Sequence, residues 1–108
     1  MTNNFITILV TCSSKKEATA IVNLLLKNRL IACANIITGL ESKFWWKGRI
    51  ERGGEVLVIL KARADKFARI EREIKRIHSY EVPEIIALPI VAGNKKYLDW
   101  LTSIGYKK

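Results

Sequence analysis

Few side chains in this sequence are equipped for chemistry. There is a single histidine, His78, and there are two cysteines, Cys12 and Cys33. The cysteines stand 21 residues apart with no C-x-x-C, so neither a zinc module nor a dithiol redox motif is present. Thiolate and imidazole both suit copper, and thiolate prefers the monovalent ion, so Cys12 and His78 make a soft ligand pair. Two ligands alone hold a metal weakly. Glu84 is a candidate third donor, although a carboxylate favours harder ions. Each residue also has a plainer role. Cys12 shares strand parity with Ile6, Ile8 and Val10, a core position. His78 follows Ile77 at the expected end of a helix, where a cation favours the negative end of the dipole.

Catalysis finds little support. No G-x-S-x-G occurs, and no Cys-His-Asp set can be assigned with one histidine. Gly53-Gly54 follows no phosphate-loop pattern and opens a strand, not a helix. Glu81 and Glu84 straddle Pro83, but a carboxylate pair without a pocket is ordinarily solvated. The chain is therefore expected not to be an enzyme.

These residues sit in a chain of 108 residues and 12.3 kDa, one domain over 1–108. Hydrophobic residues make up 49% and charged residues 27%, a globular balance. The formal charge is +9, which invites a nucleic-acid partner. Yet the basic residues are scattered, and their longest runs are pairs: Lys15-Lys16, Lys75-Arg76, Lys95-Lys96 and Lys107-Lys108. Scattered pairs read as solvated surface, so no nucleic-acid partner is expected. No apolar run approaches ~18 residues, so no membrane span is expected. Met1-Thr2-Asn3-Asn4 has neither a basic n-region nor a cleavage site, and a cytoplasmic location is the default.

The elements that must position Cys12 and His78 can be read in order. Asn4 to Cys12 is β-branched and short, a strand apolar on both faces and hence central. Ser14-Lys15-Lys16-Glu17 has capping-box spacing, and Ala18, Ile21, Val22 and Leu25 continue at helical spacing through Asn28. Ile31 to Ile37 is strand-like. Gly39 interrupts it, and Leu40 to Lys47 continues extended. The polar, glycine-punctuated segment Lys47 to Glu55 predicts a hairpin loop. Val56 to Leu60 is a third strand. Asp65 can cap a helix carrying Phe67, Ile70, Ile74 and Ile77. Ile85 to Val91 is a fourth strand, and Pro89 within it argues for an edge. Gly93-Asn94 makes a turn before a short C-terminal helix.

The order βαββαβ predicts an α+β, ferredoxin-like sandwich with helices on one face of an antiparallel sheet. An RNA-binding version of that layout needs exposed aromatics on its central strands, and Val56 to Leu60 has none. In this order the third strand lies between the first two, so Cys12 and Cys33 are expected to stay unpaired. Phe44-Trp45-Trp46 places large aromatics on both faces of one strand. One helical layer covers only one face, so this strand is expected to meet another subunit.

In these residues the sequence resembles the CutA family, the divalent-cation tolerance proteins. The resemblance runs through Val10-Thr11-Cys12, Glu17-Ala18-Thr19-Ala20, Arg29 to Ile37, Trp46 to Glu51 and Glu55 to Lys61. It continues through His78-Ser79-Tyr80-Glu81-Val82-Pro83-Glu84-Ile85, similar to the family's H-x-Y-x-x-P-E, and Tyr97 to Leu101. The resemblance implies a ferredoxin-like homotrimer assembled as in the PII signalling proteins, a role in divalent metal tolerance, and copper as the bound ion. The copper residues attributed to the family are a cysteine ending the first strand and a His-His pair after the second helix. Cys12 matches the first and His78 the second histidine; Ile77 stands at the first histidine position and Ser79 where proline is common. Thr38 precedes Gly39 where Pro-Gly is common. An alternative is a PII-like small-molecule sensor, with inter-subunit clefts lined by Thr11, Lys61, Tyr80 and Glu84.

Overall fold

The structure, a computed structural model, describes residues 4–104. Met1 to Asn3 and Lys107-Lys108, used above for the leader and charge readings, lie outside the described residues. Four strands form one antiparallel sheet: β1 (Phe5–Cys12), β2 (Cys33–Trp46), β3 (Arg49–Arg63) and β4 (Ile85–Pro89), in the order β2-β3-β1-β4. Helices α1 (Lys15–Lys27), α2 (Phe67–Ile77) and α3 (Lys95–Ile104) complete the α+β, ferredoxin-like fold. Among the described residues no helix is long and apolar enough to cross a membrane.

The core follows strand parity. Ile6, Ile8, Val10 and Cys12 of β1 are buried with Val56, Val58, Leu60 and Ala62 of β3. Against them pack Ala18, Ile21, Val22 and Leu25 of α1, and Ile70 and Ile74 of α2. Each fully buried Ile, Leu or Val contributes about 1.5–3 kcal/mol relative to exposure, so this layer holds the sheet to its helices. β1 lies between β3 and β4, as a strand apolar on both faces requires. Among the described residues β4 pairs only with β1, and Pro89 ends it at the sheet edge, where a missing N–H costs no ladder bond.

The hairpin departs from the sequence reading. A loop was expected over Lys47 to Glu55, and two separate extended pieces before it. Instead, β2 is one strand and β3 begins at Arg49, leaving a two-residue turn. Lys47 has φ 52° and Gly48 φ 78°, the left-handed pair of a tight hairpin turn whose twist matches its strands. Gly53 and Gly54 lie inside β3 opposite Ser42 and Glu41. Pairing to β2 overrides their weak strand propensity. Gly39, at φ 83°, sits at a register shift between Ile37 and Leu40, so the interruption is a bulge. Beyond it the hairpin carries Phe44, Trp45, Trp46 and Ile50 with neither face covered; Trp45 is 71% and Ile50 65% exposed.

Two smaller expectations also change. Asp65 does not cap α2. Its carboxylate accepts from Arg63 Nε and Nη2 at 3.2 and 3.0 Å, and Ala64–Lys66 form a short 3₁₀ turn before Phe67. β4 stops at Pro89, short of Val91. Elsewhere Asn94 Oδ1 accepts from the amides of Lys96 and Tyr97, capping the expected C-terminal helix.

Candidate metal centre

The end of β1 and the start of α1 make one wall of the site. Ser14 Oγ accepts the Glu17 amide at 3.1 Å, half of a capping box. The reciprocal half is shifted by one residue. Glu17 Oε1 accepts from Ser13 N and Ser13 Oγ, both at 2.9 Å. The carboxylate is thereby turned toward the segment that follows α2.

That segment makes the other wall. His78 caps α2, its amide donating to Ile74 O at 2.9 Å, and its own backbone is extended. Burial of Ile70 and Ile74 aims the chain inward, and the imidazole is 0% exposed. Nε2–H donates to the Thr11 carbonyl at 2.9 Å, and the Tyr80 amide donates to Nδ1 at 3.0 Å. An amide can only donate and a carbonyl only accept, so the ring is held as the Nε2–H tautomer. The Ser79 amide donates to Glu17 Oε2 at 2.6 Å, and that oxygen stands 3.7 Å from His78 Nδ1. Tyr80 stacks obliquely on the imidazole, with centroids 4.8 Å apart, and its hydroxyl donates to Glu55 Oε2 at 2.7 Å.

Cys12, Glu17 and His78 thus converge, their donor atoms all within 4.8 Å of one another. Burial pushes the Cys12 thiol up to about 12, and the charges of Glu17 and Glu55 add to the effect. Burial would raise Glu17 as well, but the hydrogen bonds from Ser13 and Ser79 outweigh it and hold the carboxyl at about 2. Tyr80 is pushed up by burial and by its bond to Glu55.

The structure brings together two residues singled out from the sequence, Cys12 and His78, and adds one that sequence reading treated only as a cap, Glu17. Glu84 is exposed and outside this group. Thr11 and Tyr80 border the site, but Lys61 pairs with Thr7, four residues along β1 from Thr11 and so ~13 Å away along the strand. Lys61 Nζ instead donates to Asn35 Oδ1. Both cysteines are free thiols. Cys33 pairs with Lys61 on β3, five rungs from the Val56–Cys12 pair, with β3 between their strands. Its Sγ lies 3.2 Å from the Tyr97 hydroxyl.

Comparison with known proteins gives a consistent answer. Residues 6–103 match the family described as CutA1 divalent ion tolerance protein. The chain is 42% identical over 94 residues to the divalent-cation tolerance protein CutA of Thermus thermophilus, covering 87% of this chain and 91% of that one. It is 46% identical over 99 residues to the CutA of Archaeoglobus fulgidus, covering 92% and 94%. The solved structure described as the periplasmic divalent cation tolerance protein CutA from Archaeoglobus fulgidus superimposes with a TM-score of 0.91 at 42% identity, covering 94% of this chain and 98% of that one.

Proposed function

Because the chain belongs to the CutA1 divalent ion tolerance protein family, we propose that it binds metal ions, copper among them, at the buried Cys12–His78 pair, and does so as a homotrimer. Its relatives are named for tolerance to divalent cations, and metal binding is the chemistry this site supports best. The observation that carries the reading is the convergence of a thiol sulfur and an imidazole nitrogen within one 4.8 Å cluster.

The donor chemistry fits a soft or borderline ion. Thiolate and imidazole are copper ligands. A ligating histidine commonly donates its other ring N–H to a carbonyl, and Thr11 supplies that carbonyl, which leaves Nδ1, now accepting the Tyr80 amide, as the nitrogen for a metal to take. The ion must displace the thiol proton, so binding releases a proton. Assembly is supported by the uncovered aromatic hairpin, since exposed apolar patches of this kind mark protein–protein contacts.

Isothermal titration of Cu(I) into wild type, Cys12→Ser and His78→Ala tests the site. Weaker binding by both variants is expected. Equal binding by all three would overturn it.

A further inference from the structure

We propose that Glu17 supplies the third donor of this site, and that the resulting sulfur, nitrogen and oxygen set selects a divalent ion of the zinc type over Cu(I). The inference rests on the metal-binding reading of Cys12 and His78 and deepens it.

The hydrogen bonds around the carboxylate leave one place open. Oε1 accepts twice from Ser13, and Oε2 accepts once from the Ser79 amide. A carboxylate oxygen offers two lone-pair directions, so Oε2 retains one. It stands 3.7 Å from Nδ1, whose own position accepts from the Tyr80 amide while the ring proton is on Nε2. The open direction on Oε2 and the Nδ1 lone pair, which holds the Tyr80 amide, are therefore close enough to share one ion. The sulfur of Cys12 completes a group of three electron-pair donors within 4.8 Å. A cation taken by these donors displaces the thiol proton and the Tyr80 amide, and gains a thiolate, an imidazole nitrogen and an anionic oxygen together.

The spacing suits one ion. Bonds of ~2.0–2.3 Å to zinc put neighbouring donors of a tetrahedral ion roughly 3.5 Å apart. The Glu17–His78 separation of 3.7 Å is already close to that. Coordination through Nδ1 replaces the bond from the Tyr80 amide, so the ion shifts Tyr80 N while the Ser79 amide keeps its bond to Glu17 Oε2. An anionic oxygen donor favours a divalent ion over soft, monovalent copper.

The test is competitive titration of Zn(II) and of Cu(I) into wild type, Glu17→Gln, Ser13→Ala, Cys12→Ser and His78→Ala. Glu17→Gln is expected to weaken Zn(II) by ~10-fold or more while leaving Cu(I) unchanged. Ser13→Ala, which removes one hydrogen bond to the carboxylate but keeps the donor, is expected to bind Zn(II) nearly as wild type does. Unchanged Zn(II) affinity in Glu17→Gln would overturn the donor role. So would an equal loss for both ions shared with Ser13→Ala, the mark of a purely structural residue. If wild type binds neither ion, or Cys12→Ser and His78→Ala bind both as wild type does, the metal-binding reading fails and this inference with it. Should Glu17→Gln not fold, NMR of Co(II)-loaded wild type decides: a through-bond contact shift at Glu17 Cδ is expected, and its absence would overturn the proposal.

Discussion

The Glu17 carboxylate and the Ser79 amide, 62 residues apart in the chain, meet at 2.6 Å. This one contact ties the first turn of α1 to the segment after α2 and sets the imidazole of His78 against the end of β1. Its energetic footprint is acid-dependent. Glu17 sits at about 2 when folded against an ordinary 4.5. A depressed carboxyl contributes stability fully above its unfolded pKa and loses it as pH falls toward the folded one. Thermal melts should therefore show wild type losing up to roughly 3 kcal/mol relative to Glu17→Gln between about pH 4.5 and about pH 2. A constant difference across that window would refute the assignment.

Metal binding should carry a pH signature of the same sign in a higher range. The Cys12 thiol is pushed up to about 12, so an ion competes with a bound proton throughout the neutral range. Copper affinity is expected to rise about tenfold per pH unit between about pH 6 and about pH 9, one proton being released per ion. Titration in buffers of different ionisation enthalpy counts that proton. Cys12→Ser should flatten the slope.

The two thiols should differ sharply in reactivity. Cys12 is fully buried, and Cys33 is partly exposed beside Tyr97. A thiol reagent should label one site quickly in the native protein and two sites per chain after denaturation without reductant. A single site, or none, in the denatured state would contradict the free-thiol arrangement.

Glycines on the hairpin should separate by backbone conformation. Gly48 has φ 78°, where a Cβ strains the turn, so Gly48→Ala is expected to lower stability by ~1 kcal/mol. At Gly53 the φ is not in the left-handed region and an added Cβ meets nothing within 4 Å. Gly53→Thr should be neutral or stabilising by a few tenths of a kcal/mol, roughly what strand propensity gives. Chemical denaturation of the two variants makes the comparison.

Trp45 should matter more to assembly than to the fold of one chain. It is 71% exposed and outside the core. Light scattering of wild type is expected to give the mass of three chains. Trp45→Ala should lower the melting temperature and make it more strongly concentration-dependent, with an assembly loss of ~2 kcal/mol or more, as for a buried interface aromatic. A wild-type mass of one chain would refute the assembly.

The sequence by itself determined what local pattern can determine. Alternation in β1 put Ile6, Ile8, Val10 and Cys12 in the core, and helical spacing put Ala18, Ile21, Leu25, Ile70 and Ile74 against them, because a side chain's face follows from its element's period. Cys12 and His78 were legible as donors because residue type fixes ligand chemistry. Pairing decided what lay beyond. The glycines of Lys47 to Glu55 read as a loop until β2 imposed its register, which shrank the turn to Lys47 and Gly48 and put Gly53 and Gly54 in a strand. Glu17 read as a helix cap because capping is a contact of near neighbours. Its place beside His78 depends on Ser79, 62 residues away, and only tertiary packing brings the two together.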